Sequence, residues 1–338
     1  MNTAAPLRNE ENMIQRSRSV FAAILAPVLV VFVVEGGLPQ CAFSQETDSL
    51  RYGLLVPATG TMSTAWMVPK NPLTDSTLDR SPRADQIRWG YRLFMRTPAE
   101  APQFTCNKLT CGNCHLNGGQ REKGMPLVGI SSVFPEYNKR EGRQFSLEDR
   151  IVGCFMRSEN GTGAGRRRPG RQADSVQALP TPASREVAAL AAYISWISDG
   201  VARGQRLPWR GQNQISPERL LPIERLSIKR GKAMFMARCT PCHGRDGQGI
   251  QIGDKKAAPL WGPDSWNDGA GAARVYTLAG IIRYAMPYLN PGSLTDEEAQ
   301  HIAAFINSMP RPVYPFKDKD YQAERLPPDA VYYKKPGP

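Results

Sequence analysis

Two stretches, Cys111-Gly-Asn-Cys114-His115 and Cys239-Thr-Pro-Cys242-His243, decide how this chain folds. Both read C-x-x-C-H, the pattern by which haem c is attached to a protein. Two thiols on one short helical turn can reach the two vinyl groups of a porphyrin, and the next histidine can reach the iron. A redox dithiol or a zinc site also uses paired cysteines, but two copies that take up two of the three histidines are less typical of either. The sequence therefore predicts two covalently bound haem c groups.

The sequence around the two motifs repeats as well. Gly90-Tyr-Arg-Leu-Phe94 precedes the first motif, and Gly231-Lys-Ala-Met-Phe235 precedes the second. Downstream, Ala191-Ala-Tyr-Ile-Ser195 corresponds to Ala303-Ala-Phe-Ile-Asn307, each within an apolar pattern of helical period. One helix before the haem and one after it form the minimal core of a cytochrome c. We predict an all-α chain of two tandem cytochrome c modules with loop-rich extensions.

The N-terminus is predicted to be a secretory signal. Basic residues precede an apolar run from Val20 to Val34, and small residues before Gln45 suit cleavage there. An uncleaved membrane anchor is the alternative, although the run is short for a span. We therefore expect a periplasmic protein, divided into a signal peptide (1–44), an N-terminal extension (45–84), a first module (85–206), a linker (207–225), a second module (226–312) and a C-terminal extension (313–338).

Composition excludes several classes of function. The chain has 338 residues, a net charge of +12, 30 Gly and 29 Pro, and at 41% hydrophobic residues it is globular. No phosphate-binding glycine motif occurs between a strand and a helix, which argues against a nucleotide fold. An exported haem protein is not expected to bind nucleic acid. The positive charge instead favours attraction of anions or docking of an acidic electron acceptor.

The sixth iron ligand of the second haem is predicted to be Met286. Met286-Pro287 lies on the loop before the last helix of that module, where a thioether ligand is usual. Met309-Pro310 is a rival, but it falls at the end of that helix. Thr295 and Ser184 are predicted N-caps of the two downstream helices. His301 lies in a polar stretch and is expected to face solvent rather than to bind iron.

At the corresponding place the first module has Cys154 instead of a Met-Pro pair. Met156 competes with it as a ligand, and Cys154 could also be an inert thiol or form a disulfide with Cys106. A thiolate ligand lowers the haem potential and a thioether raises it, so electrons would run from the first haem to the second. A ligating cysteine that leaves the iron is also a sulfur nucleophile. This arrangement favours catalysis on a sulfur substrate.

Longer stretches resemble the dihaem thiosulfate dehydrogenase (tetrathionate synthase) family. The resemblance is carried by Gly124 to Tyr137, Arg140-Glu-Gly-Arg143, Leu147-Glu-Asp-Arg150, Cys154 to Gly161, Ala273 to Pro287 and Asn307 to Pro312. It implies oxidative coupling of two thiosulfates to tetrathionate, often reversibly, with electrons passed to a soluble or membrane acceptor such as another cytochrome.

The resemblance also implies roles for single residues. It gives the first haem the ligands His115 and Cys154, and the second haem His243 and Met286. The basic and hydroxyl residues that bind substrate correspond to Arg140, Arg150 and Ser158, with Arg157 and Asn160 as secondary candidates. Fixed arginines suit two dianionic substrates. We hypothesise that Cys154 leaves the iron and forms a transient sulfur–sulfur adduct, which a second thiosulfate attacks.

The chain departs from the family pattern at several positions. Met156 and Glu159 stand where Glu and Met are more usual, Ala285 supplies no alternative lysine ligand, Cys106 is an extra thiol, and a basic loop spans Arg166 to Arg171.

Two other functions compete with the enzyme. One is a dihaem electron carrier with Met156 as a second thioether ligand; the other is the dihaem subunit of a sulfur-oxidising multienzyme complex.

Overall fold

The computed structural model describes residues 70–163, 178–253 and 255–334. The predicted signal peptide, residues 45–69 and the basic loop Arg166 to Arg171 lie outside this range. Six longer helices dominate: α1 (Ala84–Met95), α2 (Leu147–Arg157), α3 (Arg185–Ile197), α4 (Ile228–Arg238), α5 (Val275–Ala285) and α6 (Asp296–Asn307). None of the described helices is long and apolar enough to cross a membrane.

Short elements connect these helices. Helical turns lie at Thr97–Glu100, Cys111–Cys114, Leu116–Gly119 and Thr240–His243, and 3-10 turns at Ser76–Arg80, Pro102–Phe104, Ile130–Val133, Pro217–Arg219, Ile223–Arg225, Gly271–Ala273 and Lys317–Lys319. Two antiparallel pairs complete the described part, β1 (Glu136–Asn138) with β2 (Arg143–Phe145) and β3 (Gln251–Ile252) with β4 (Lys255–Lys256). The helical class is confirmed.

Each half of residues 70–334 has its own hydrophobic core. In the first, α1 crosses α3, and Phe94 packs edge-on against Tyr193 with ring centroids 5.6 Å apart. In the second, α4 crosses α6, and Phe235 packs against Phe305 at 5.4 Å. The two crossings involve corresponding positions of the sequence repeat. This correspondence supports the division into two cytochrome c modules, which stays a prediction.

Glycines allow both crossings to be close. A methyl group built on Gly90 would clash with the carbonyl oxygen of Ala189, and one built on Gly231 would clash with that of His301. His301 is therefore part of a crossing and only 1% exposed, with its Nδ1 accepting from the backbone N–H of Ser227 (3.1 Å). The expectation that His301 faces solvent is wrong, because α4 packs against this part of α6 and covers it.

The helix ends follow the sequence closely. Thr295 caps α6 in a reciprocal capping box with Glu298, as predicted. Ser184 also stands at the N-cap of α3, but its side chain does not cap the helix; its Oγ accepts from the backbone N–H of Thr181 instead (2.9 Å).

The predicted linker and the C-terminal extension both contribute buried side chains. In the predicted linker, Trp209 is 2% exposed and donates its indole N–H to the carbonyl of Val128 (3.0 Å). In the C-terminal extension, Tyr314, Asp320, Asp329 and Ala330 are buried. Both segments therefore form part of the packed interior.

Candidate functional site

The first attachment motif is held on one helical turn. Thr110 caps the turn Cys111–Cys114 in a reciprocal box with Asn113, and the hydroxyl of Thr97 accepts from the backbone N–H of Cys111 (3.1 Å). Because residues three apart on a helical turn lie on one side, Cys111 and Cys114 can attach to the same flat group. Burial raises the pKa of Cys114 to about 12, with smaller contributions from Glu159 and Cys154.

The two motif histidines are prepared to bind iron through Nε2. His115 donates its Nδ1 proton to the carbonyl of Met125 (2.7 Å), and His243 donates its own to the carbonyl of Ala258 (3.0 Å). Burial lowers the pKa of His115 to about 4 and also lowers that of His243. Each ring is thus neutral, with one nitrogen fixed by a carbonyl and the other available as a ligand.

The second motif has the same construction. Cys239 ends α4, and the turn Thr240–His243 follows at once. The carbonyl of Cys242 accepts from the backbone N–H of Ile250 (2.9 Å), which ties the following loop to the motif. Burial raises the pKa of Cys239 to about 11.

The predicted ligand Cys154 lies in the middle of α2. Arg150, Cys154 and Ser158 are four residues apart and so form one row on the helix. Arg150 is exposed, whereas Cys154 and Ser158 are half-buried. Cys154 lies close enough to the first motif for its charge to raise the pKa of Cys111, after the larger effects of burial and Glu159. The row therefore runs from solvent towards the first motif.

An internal space adjoins this row. Gly153 is buried, yet a methyl group built on it meets no atom within 4 Å. Together with the paired thiols and the oriented histidine, this space fits a bound haem c against α2. Met156 is two residues further along α2, about 200° round the helix from Cys154. The two sulfurs therefore lie on opposite sides of α2, and the direction of Gly153 falls between them.

Two arginines predicted to bind substrate are engaged with other parts of the protein. Arg140 donates through Nε to the hydroxyl of Tyr321 (3.2 Å), and both Arg140 and Arg157 donate to the carbonyl of Gly269. Arg157 is 6% exposed and forms a bidentate ion pair with Asp320. Arg157 therefore serves packing, and the structure brings Arg140 to it rather than to the row on α2.

Asn160, the other secondary candidate, is buried as well. Its side-chain Nδ2 donates to the carbonyl of Ser265 (2.8 Å), and Asn107 donates to the same carbonyl (3.2 Å). These contacts join the end of α2 to the second half of the chain.

Met286 lies directly after α5, as its C-cap residue. Met309 lies beyond α6 and packs against the second core.

Sequence reasoning missed Tyr288, on the same loop as Met286. Its hydroxyl donates to Asn117 Oδ1 (2.7 Å), and Arg121 donates to its carbonyl (2.8 Å). The loop after α5 thus contacts the residues that follow His115.

Glu159 carries a buried carboxyl group that the sequence did not indicate. It is 3% exposed, its Oε2 has no hydrogen-bond partner among the described residues, and burial raises its pKa well above the usual range. Nothing in the stretch Arg157-Ser-Glu-Asn160 signals that its carboxyl group is buried, since each residue there is polar.

The chain is similar to known proteins over most of its length. Residues 227–306 match the family described as cytochrome C oxidase, cbb3-type, subunit III. The chain is 37% identical over 272 residues to the thiosulfate dehydrogenase of Allochromatium vinosum, which covers 78% of this chain and 91% of that protein. With the thiosulfate dehydrogenase of Stutzerimonas stutzeri it shares 35% identity over 245 residues, 72% of this chain and 73% of that protein.

A solved structure is similar too. The as-isolated form of the thiosulfate dehydrogenase (TsdBA) from Marichromatium purpuratum superposes with a TM-score of 0.61 at 33% sequence identity. The match covers 70% of this chain and 48% of the solved one, so this chain spans about half the length of that structure.

Proposed function

The chain belongs to the thiosulfate dehydrogenase family of oxidoreductases, and from that premise we propose that it joins two thiosulfate dianions into tetrathionate in a reversible reaction. The observation that carries this proposal is the position of Cys154, whose thiol lies half-buried between Arg150 and Ser158 and beside the first attachment motif. A sulfur nucleophile there has a cation on the solvent side and a hydroxyl group on the inner side.

The residues of this row have separate roles in the proposal. Two dianions repel each other, so a fixed cation must offset their charge when they meet. Arg150, the exposed member, draws thiosulfate in and orients its sulfonate oxygens. Ser158 donates a hydrogen bond further in. Arg140 has no part in this proposal, because Tyr321 and Gly269 engage its guanidinium beside Arg157 and away from the row.

Two haem c groups complete the proposed enzyme. Cys111 and Cys114 would attach the first, and His115 and Cys154 would bind its iron. Cys239 and Cys242 would attach the second, and His243 and Met286 would bind its iron. Bound in this way, haem c supplies one-electron redox chemistry at each of the two sites.

The sulfur chemistry can be written on Cys154. Its thiolate and the outer sulfur of one thiosulfate form a bond and give up two electrons, one to each redox site. The outer sulfur of a second thiosulfate then attacks the outer sulfur of the first. The new sulfur–sulfur bond gives tetrathionate, and Cys154 leaves as the thiolate with which it began. Run backwards, the same steps reduce tetrathionate to two thiosulfates.

We propose that electrons pass from the first site to the second and then to an external acceptor such as another cytochrome. Contact between the Met286 loop and the first motif supports transfer between the two sites, since the hydroxyl of Tyr288 donates to Asn117, two residues beyond His115. Residues 1–44 act as a signal peptide in this proposal, which puts the reaction in the periplasm.

The proposal is tested with holo-protein, thiosulfate and an artificial one-electron acceptor, by assaying tetrathionate. We expect turnover in the wild-type protein and a loss of at least about a thousandfold in Cys154→Ala, because the nucleophile is removed. Cys106→Ala is the matched control. It removes another half-buried thiol of the first half and is expected to keep wild-type turnover.

Full activity of Cys154→Ala would overturn the proposed role of that thiol. Absence of turnover in either direction, with both haems loaded in the wild-type protein, would instead favour the electron carrier or the subunit of a larger complex.

A further inference from the structure

The C-terminal extension reaches two helices in different halves of the chain through buried aspartates. Asp320 and Asp329 are 6% and 3% exposed, which is rare for carboxylates unless they are paired. Neither belongs to an attachment motif or to the row on α2. Each one binds at one end of a helix that bears a predicted sulfur ligand.

Asp320 holds the end of α2. Its two oxygens accept from both terminal nitrogens of Arg157, at 2.7 and 2.8 Å, and it also accepts from the hydroxyl of Tyr333. The guanidinium of Arg157 lies over the ring of Tyr314 at 4.2 Å. Arg157 is thus enclosed by residues of the extension, in a bidentate geometry that fixes both distance and orientation.

This contact bears directly on Cys154, because Arg157 is the last residue of α2 and lies three positions after Cys154. A helix transmits a rotation or shift at its end to the preceding turn, since the backbone hydrogen bonds join successive turns. The second half also binds this end, where Asn267 donates to the carbonyls of Met156 (2.9 Å) and Arg157 (3.1 Å).

Asp329 holds the start of α5 in a different way. Its carboxylate accepts from the backbone N–H of Tyr276 (3.0 Å), and its carbonyl accepts from that of Val275 (3.2 Å). The N-cap residue, Arg274, makes no side-chain capping bond of its own. The first N–H groups of a helix need acceptors from elsewhere, and here a residue more than fifty positions later provides them. Met286 follows the other end of the same helix.

We propose that the C-terminal extension is a positioning element for both sulfur ligands, with Asp320 setting the position of Cys154 through Arg157 and Asp329 setting that of Met286 through α5. Asp320 and Asp329 are positioning residues, since neither touches a ligand or a substrate. The inference rests on the proposed assignment of Cys154 and Met286 as ligands.

The two aspartates form a matched pair for the test. Asp320→Asn and Asp329→Ala are made in the full-length holo-protein, and both haems are confirmed to be attached. The first readout is the EPR signature of a thiolate-ligated low-spin ferric haem. The second is the thioether-to-iron charge-transfer band in the red part of the visible spectrum.

We expect Asp320→Asn to weaken or broaden the thiolate signature and to leave the thioether band at wild-type strength. It should lower kcat about tenfold to a hundredfold, because misplacement of a reacting group by about 1 Å has effects of that size. We expect Asp329→Ala, which removes the side-chain acceptor of the Tyr276 N–H, to weaken the thioether band and to leave the thiolate signature intact.

Three outcomes would overturn the inference: no change in either signature, loss of both in each variant, or effects on the opposite sites. If Asp320→Asn does not mature, two milder variants replace it. Tyr333→Phe removes one hydrogen bond to Asp320, and Asp320→Glu keeps the negative charge. A thiolate signature that stays at wild-type strength in Tyr333→Phe contradicts the inference. A wild-type protein without either signature would refute the proposed ligands themselves, which is a different result.

Discussion

At the scale of the residue, Arg150 differs from the other arginines around α2. Arg157 is buried against Asp320, and Arg140 is bound by Tyr321 and Gly269. Arg150 is exposed on the row of Cys154. Burial is the largest cause of the lowered pKa of His115, and the charge of Arg150 lowers it further, whereas the bond to Met125 raises it. It is therefore the cation best placed to meet an incoming anion at the first site.

We expect Arg150→Ala to raise the KM for thiosulfate about tenfold to a hundredfold, because a hydrogen bond to a charged group contributes about 1.5 to 3 kcal/mol. Arg150→Lys should recover part of this loss, since it keeps the charge without the planar fork. Steady-state kinetics over a range of thiosulfate concentrations measures both effects.

Arg143→Ala provides the control for charge removal. Arg143 is exposed and already pairs with Asp149 and Glu141, so its loss should change KM less than about twofold. A wild-type KM in Arg150→Ala would contradict the role given to Arg150.

Single residues also show where sequence reasoning succeeds. The C-x-x-C-H motifs are local, so the turns that carry Cys111, Cys114, Cys239 and Cys242 could be predicted directly. The partners of Arg140 and Arg157 could not, because Asp320, Tyr321 and Gly269 lie more than a hundred positions away in the chain. His301 was misjudged for the same reason, since the backbone that buries it belongs to α4.

At the scale of the element, the two helix crossings depend on glycine. Gly90 and Gly231 occupy corresponding positions of the repeat, and each faces a carbonyl of the partner helix. The repeat Gly-x-x-x-Phe could be recognised in the sequence as two equivalent helices. The closeness of the backbones could not, because it depends on how the helices cross.

We expect Gly90→Ala and Gly231→Ala each to lower the free energy of unfolding by about 1 to 3 kcal/mol, because the added methyl group forces the helices apart. Thermal unfolding of the holo-proteins measures the effect. Gly271→Ala is the control, since a methyl group there meets no atom within 4 Å and should change stability by less than about 0.5 kcal/mol. Unchanged stability in Gly90→Ala would show that α1 and α3 do not cross as described.

At the scale of the whole molecule, buried asparagines join the two halves. Asn107 and Asn160 share the carbonyl of Ser265, and Asn267 binds the end of α2. All three are buried, so water cannot replace these bonds without opening the interface. Composition and periodicity predicted two modules but gave no sign of this interface, because asparagine is ordinarily a surface or turn residue.

We therefore expect the holo-protein to unfold in a single calorimetric transition, with calorimetric and van't Hoff enthalpies that agree. Asn267→Ala should lower the midpoint, because the carbonyl of Met156 loses its side-chain donor. Two well-separated transitions in the wild-type protein would show that the halves fold independently and that these contacts add little.

The late position of the C-terminal extension has a consequence for how the protein is made. Under the proposed export, residues 313–334 cross the membrane after both attachment motifs, so α2 and α5 reach the periplasm before Asp320 and Asp329 do. During that interval α2 ends without its ion-pair partner and α5 begins without its cap. We therefore expect the exported chain to keep both attachment motifs accessible for delivery of haem until residues 313–334 have also crossed.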